Sequence, residues 1–80
     1  MTIKLLAFGI AKEILHTHMC VYELKQGETI ADLKASLLSD YPDFSRLLRL
    51  SFAVNESYVN DSHPLTEGDE VVLIPPVSGG

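Results

Sequence analysis

Thr29 to Leu38 is the segment that most restricts what this chain can become. The Thr29 hydroxyl is placed to cap a first helical turn. Asp32, three residues on, completes a capping-box-like pattern and puts a negative charge at the positive end of the helix dipole. Ile30, Leu33, Leu37 and Leu38 recur at helical spacing, while Asp32, Lys34 and Ser39 fall largely on the other side. Tyr41-Pro42 ends the helix, because proline drives the residue before it out of helical geometry. No other helical pattern in the 80 residues is as long, so the apolar stripe of this helix has to pack on strands.

The flanking segments supply those strands. Ile3 to Gly9 is a compact apolar run closed by a glycine. It is too short for a helix of its own and predicts a strand buried on both faces, central or parallel in its sheet. Ile10 to Leu15 predicts one or two helical turns. His16 to Lys25 offers a second strand, because its β-branched and aromatic residues suit a pleated surface, and Gln26-Gly27-Glu28 then turns the chain. Asp43 to Leu50 fits either a short helix or an irregular connection. Ser51 to Val54 and Ser57 to Val59 predict short strands around Asn55-Glu56, since asparagine tolerates the positive φ of a tight hairpin. After Pro64 and a turn at Thr66-Glu67-Gly68-Asp69, Glu70 to Ile74 forms the last strand. Pro75 and Pro76 end its pairing because neither has an N–H. This order predicts an α+β fold of the β-grasp (ubiquitin-like) type: a mixed sheet, one main helix packed on one face, and the last strand parallel to the first. Residues 1–74 make the domain and residues 75–80 a flexible, extended C-terminal tail.

Size and charge narrow the function. Eighty residues make one domain, with too little interior for a large catalytic cleft. Six basic against eleven acidic residues leave a formal charge of −5, which argues against phosphate-backbone binding and so against nucleic acid as a main partner. A single cysteine, Cys20, can form neither an internal disulfide nor a multi-thiolate metal site, which points to a reduced, cytoplasmic protein. Lys12 and Glu13 interrupt the short apolar stretch near the N-terminus, and no small-residue cleavage site follows. No apolar run approaches the roughly 18 residues of a membrane span, so no membrane role is expected.

Ordinary catalytic chemistry is hard to place. His16 and His18 would share a strand face and pair on a metal, but no spacing marks further ligands, so they read as solvated loop histidines. Cys20 lies in an apolar strand run with no adjacent base to lower its pKa, and it reads as a small hydrophobe. The carboxylates are scattered over turns and helix surface with no acid–base couple among them. No catalytic residue and no metal site are assigned.

The informative stretch is Val71-Val72-Leu73-Ile74-Pro75-Pro76-Val77-Ser78-Gly79-Gly80, in which no charged side chain follows Glu70. The prolines fix φ and steer the chain off the sheet in extended form. Residues 75 to 80 then reach roughly 20 Å. Gly79 and Gly80 carry no Cβ, so the last peptide fits a narrow channel. The terminal carboxylate is ionised at neutral pH and a poor electrophile until it is activated, yet no side chain crowds it.

With these residues in view, the chain resembles the small subunit of molybdopterin synthase within the ubiquitin-like sulfur carriers. The resemblance rests on Ala53-Val54-Asn55-Glu56-Ser57-Tyr58-Val59, His63-Pro64-Leu65, Glu67-Gly68-Asp69-Glu70-Val71 and Ile74-Pro75-Pro76-Val77-Ser78-Gly79-Gly80, and covers essentially the whole chain. It implies a stoichiometric sulfur donor with no bound cofactor. A ubiquitin-activating-type adenylyltransferase would use ATP to turn the Gly80 carboxylate into an acyl-adenylate. Sulfur from a sulfurtransferase or cysteine desulfurase would replace AMP and leave a thiocarboxylate at Gly80. Pro75, Pro76, Val77, Ser78 and Gly79 would enter the partner's active site. The large synthase subunit would pass the sulfur to cyclic pyranopterin monophosphate, in an assembly of two small and two large subunits.

By the same resemblance Phe8, Tyr58 and Ile74 would lie on an apolar docking face. Phe8 and Ile74 are equally readable as core and Tyr58 as an ordinary exposed strand aromatic. Family members often carry an aromatic residue where Ile74 stands. Lys12 and Arg49 are either solvated charges or partners of an acidic surface. Two alternatives share the activated carboxylate: a ubiquitin-like modifier joined through Gly80 to lysines, and a thiamine-pathway type of sulfur carrier. A third reading is a plain interaction domain with an inert tail.

Overall fold

The structure is a computed structural model that describes residues 1–47 and 50–75. Among these residues five strands form one mixed sheet: β1 (Thr2–Ala7), β2 (Met19–Glu23), β3 (Ser51–Val54), β4 (Ser57–Val59) and β5 (Glu70–Ile74), in the spatial order β2-β1-β5-β3-β4. β5 runs parallel to β1, and every other pairing is antiparallel. This is the expected β-grasp arrangement.

Two α-helices lie on one face, α1 (Gly9–Leu15) and α2 (Ile30–Asp40), followed by a 3₁₀ turn over Pro42–Arg46. The 3₁₀ turn decides between the two readings of the stretch after Tyr41: it buries Phe44, and Leu48 and Arg49 lie outside the described residues. α2 starts as its sequence dictates. Asp32 N–H donates to the Thr29 hydroxyl, and the Asp32 carboxylate accepts from Thr29 N–H at 2.8 Å. The next free helix N–H groups are taken by the loop before β5, where Ile30 donates to His63 C=O at 3.0 Å and Ala31 to Asp61 C=O at 2.9 Å. The orphan donors of the helix start are therefore met by distant chain.

The core lies between the helices and the inner sheet face. It holds Ile3, Leu5 and Ala7 of β1, Phe52 and Val54 of β3, Val71 and Leu73 of β5, Ala11, Ile14 and Leu15 of α1, and Ile30, Leu33 and Leu37 of α2. Three expectations change here. β1 is buried on one face only, with Lys4 exposed and Leu6 half-buried, because both helices pack on the same side of the sheet. Leu38 is exposed, since residues 30, 33 and 37 already fill the contact stripe and position 38 is rotated about 100° past it. The second strand is shorter than His16 to Lys25. His16 takes a left-handed conformation (φ 61°) that closes α1, and the strand itself begins only at Met19.

The β3–β4 hairpin turns through Asn55 and Glu56, both with positive φ (48° and 74°), as a two-residue loop matched to strand twist requires. Asp69 holds it in place. This buried carboxylate accepts from Asn55 Nδ2 at 3.0 Å, Thr66 N–H at 2.9 Å and the Thr66 hydroxyl at 3.0 Å.

Candidate functional site

β5 delivers the chain to Ile74 and Pro75 from the middle of the sheet, beside the end of β1. Gly9 has φ +57°, a left-handed geometry that disfavours side chains, and a Cβ built there would stand 3.6 Å from Pro75 Cγ. Phe8-Gly9 therefore flanks the point where the tail departs. Pro76, Val77, Ser78, Gly79 and Gly80, the remaining predicted tail residues, lie outside the described residues.

Strand registers determine what surrounds that exit. Leu6 pairs with Met19 on one side and Val72 on the other; Val72 pairs with Ala53, and Ala53 with Tyr58. Side chains directly opposite one another share a face. These five residues thus form one apolar row across all five strands, about 19 Å wide at normal strand spacing, on the face opposite the helices; Met19 and Tyr58 are exposed at its ends, Leu6 and Val72 are half-buried and Ala53 is buried. Phe8, still extended (φ −132°, ψ 159°), continues the alternation of β1 onto the same face, as Ile74 does on β5. Val21 lies one step along β2, opposite Lys4.

Exposure separates surface from core among these three residues. Phe8 is 53% exposed and Tyr58 74%, so neither is core, and Ile74 is half-buried on the outer face beside Ser51. Met19 (53%) and Val21 (70%) complete the set: of the five large hydrophobic side chains exposed among the described residues, only Leu38 lies elsewhere. A concentration of this kind marks a contact surface. The Phe8 ring stacks on His18, with centroids 6.1 Å apart and planes 28° from parallel, which steadies it at the rim.

Sequence reasoning singled out Phe8, Tyr58 and Ile74 and missed Leu6, Met19, Val21 and Val72. The alternation of MCVYE was the available signal, masked by reading β1 as buried on both faces.

The residues considered for chemistry fall elsewhere. His16 caps α1 and His18 stacks on Phe8, so they do not share a strand face. Among the described residues no three His, Cys, Asp or Glu side chains converge on a metal-sized site. Cys20 points to the inner face opposite Leu5, half-buried, and burial pushes its thiol up, away from the nucleophilic thiolate. Burial, with help from Asp40, pushes the Tyr22 phenol well above its ordinary value; its hydroxyl donates to Asp40 Oδ2 at 2.5 Å. An open groove of about 370 Å³ between Ile14, His16, Asp40, Tyr41, Pro42 and Asp43 lies on the helix side, away from the apolar row. Lys12 is exposed, the one ion pair among the described residues being Lys34–Asp61 at 3.2 Å, and Arg49 is outside them. No helix among the described residues is long and apolar enough to cross a membrane.

Comparison with known proteins places this geometry. The family model described as the ThiS family matches residues 5–80. The chain belongs to the ThiS family. As a ThiS-family chain it is 36% identical over 83 residues, covering all of both chains, to a molybdopterin synthase sulfur carrier subunit from Chlamydomonas reinhardtii. Its fold matches a protein from Pyrococcus furiosus described as a putative molybdopterin converting factor, subunit 1, with TM-score 0.87 and 24% identity over 95% of this chain and 98% of that one. It also matches, with TM-score 0.69 and 26% identity over the whole of both chains, a chain in the complex of subunits 1 and 2 of the molybdopterin-converting factor from Helicobacter pylori.

Proposed function

We propose that this ThiS-family chain is the sulfur-carrier subunit of a molybdopterin synthase and works through the carboxylate of Gly80. The observation that carries the reading is the full-length relationship to a molybdopterin synthase sulfur carrier subunit. It is supported by the way the fold launches the tail: Pro75 leaves mid-sheet, beside Phe8 and the apolar row.

The chemistry follows from the terminal acyl group. A carboxylate has no adequate leaving group, so a ubiquitin-activating-type adenylyltransferase first attaches AMP from ATP to the Gly80 oxygen and releases pyrophosphate. A persulfide sulfur, delivered by a sulfurtransferase or cysteine desulfurase, then attacks the Gly80 carbonyl and expels AMP. Reduction of the resulting acyl disulfide by a thiol frees the thiocarboxylate. The large subunit receives the tail through Pro75, Pro76, Val77, Ser78 and Gly79 while Phe8, Tyr58 and Ile74 hold the body. The thiocarboxylate sulfur bonds to cyclic pyranopterin monophosphate, and water then cleaves the acyl–sulfur bond, which leaves the sulfur on the pterin and returns Gly80 to a carboxylate. A dithiolene needs two sulfurs, which suits an assembly of two small and two large subunits working in the cytoplasm. The chain itself needs no resident cofactor, because its partners consume the ATP and hold the pterin.

Intact-mass measurement of the chain after incubation with its adenylyltransferase, ATP and a sulfur source tests the reading. Replacement of one oxygen by sulfur, localised to Gly80, is expected. No thiocarboxylate, with Gly80 found instead in isopeptide linkage to protein lysines, would establish the modifier reading. Appending residues after Gly80 should abolish loading and leave the melting temperature unchanged.

A further inference from the structure

The apolar row runs out onto a sheet edge, and that edge is open. β2 is the outermost strand and pairs only with β1. Along an antiparallel strand, residues alternate between those that turn their N–H and C=O toward the neighbour and those that turn them away. Met1 and Leu24 exchange bonds in both directions (2.6 and 2.8 Å), and Ala7 donates to His18 C=O at 2.9 Å. The inward-bonding residues are therefore His18, Cys20, Tyr22 and Leu24, and Met19, Val21 and Glu23 face outward. Met19 is closed off by its own chain: the Thr17 hydroxyl donates to Met19 C=O at 2.9 Å and accepts from its N–H at 3.3 Å. Val21 and Glu23 bond to no backbone among the described residues. Soluble proteins blunt such edges with lysine, proline or a bulge. Met19 to Glu23 contains neither residue, its one charged side chain, Glu23, accepts from the Thr2 hydroxyl of β1, and its register with β1 is unbroken.

We propose that the β2 edge is a strand-addition site, where an extended segment of the synthase large subunit pairs with Val21 and Glu23 while that same partner covers the apolar row. The inference rests on the function proposed above and adds to it a second backbone contact. N–H and C=O groups repeating at strand spacing are matched by an extended backbone. The Met19 and Val21 side chains make the edge continuous with Leu6 and Val72 on the docking face. The tail leaves β5 two strands away, about 10 Å, so a protein that takes the tail and covers Phe8 reaches the edge as well. A second copy of this chain fits poorly. Each copy carries a formal charge of −5, and a two-fold pairing centred on Val21 sets Glu23 against Met19, whose groups Thr17 already holds.

Two substitutions separate backbone from side chain. Val21→Pro deletes an outward N–H and no ladder bond, the one setting in which an edge strand accepts proline; Val21→Ala trims the side chain and keeps the N–H. Titration of each full-length variant into the cognate large subunit should show V21P binding about tenfold more weakly than V21A. Equal affinities would overturn the proposal. Amide hydrogen exchange on the unmodified chain supplies the second readout and does not depend on V21P folding. Val21 and Glu23 should exchange fast in the free chain and at least about tenfold more slowly in the complex, whereas Cys20 and Tyr22 are protected in both. Unchanged exchange at Val21 and Glu23 in a complex that does form overturns the strand-addition site alone. Failure of the unmodified chain to bind the large subunit overturns the functional reading and this inference with it.

Discussion

Replacing Asp69 by alanine should destabilise the domain far more than a surface carboxylate would. The Asp69 side chain accepts three hydrogen bonds, from Asn55 Nδ2, Thr66 N–H and the Thr66 hydroxyl, at 2.9 to 3.0 Å. Bonds to a charged acceptor are worth about 1.5 to 3 kcal/mol each when buried. Asn55 and Thr66 are exposed enough for water to replace part of that, so D69A should cost about 2 to 4 kcal/mol, a large share of the roughly 4 to 12 kcal/mol expected of a domain this size. In a domain of this length that is a fall of about 12 to 24 °C in melting temperature.

The effect should depend on pH in a defined direction. Burial pushes the Asp69 carboxyl up, but the hydrogen bonds from Thr66 and Asn55 outweigh it and hold the group below its ordinary value. The unfolded chain then binds the proton more readily, so the stabilisation is complete above the unfolded value of about 3.9 and is lost as pH falls through the lower folded value. Urea unfolding of wild type and D69A from pH 7 to pH 3 reads both quantities. The difference should stay constant to about pH 5 and shrink below about pH 4. A D69A variant within about 0.5 kcal/mol of wild type at pH 7, or a gap that widens in acid, would refute the reasoning. Asn55 also accepts from Glu70 N–H at 3.1 Å, so the same network sets where the Tyr58 hairpin lies against β5.

Other expectations concern separate parts of the molecule. Phe8→Ala and Tyr58→Ala should each weaken large-subunit binding by about 1 to 2 kcal/mol with little change in melting temperature, because both rings are largely in solvent; calorimetric titration and thermal melts report the two effects separately. Thr29→Ala removes the hydroxyl that accepts from Asp32 N–H and should cost about 1 kcal/mol in urea unfolding. Cys20→Ser should leave sulfur loading of Gly80 intact by mass analysis, since the thiol is half-buried with its pKa raised and faces away from the docking row.

The elements whose local signals agree are legible in the amino-acid sequence. Thr29 and Asp32 mark the start of α2, Tyr41-Pro42 its end, and Asn55-Glu56 the hairpin; in each case the deciding interaction lies within a few residues of chain. What local pattern misjudges is one-sidedness. β1 looks buried on both faces because Leu6 and Phe8 are as apolar as Ile3 and Leu5, and Leu38 looks like core because it adjoins Leu37.

From sequence alone came the strand and helix order and the β-grasp class, since these depend on periodicity and on residues with restricted or unrestricted φ; the Pro76 to Gly80 pattern it also singles out lies outside the described residues. The tertiary structure decided which apolar residues remain uncovered. Helices packed on one side leave Met19 and Tyr58 exposed and Leu6 and Val72 half-buried along one outer-face row, and a strand at the edge leaves Val21 and Glu23 with unpaired backbone among the described residues. Both outcomes are set by register between segments far apart in the chain, which no local window of sequence contains.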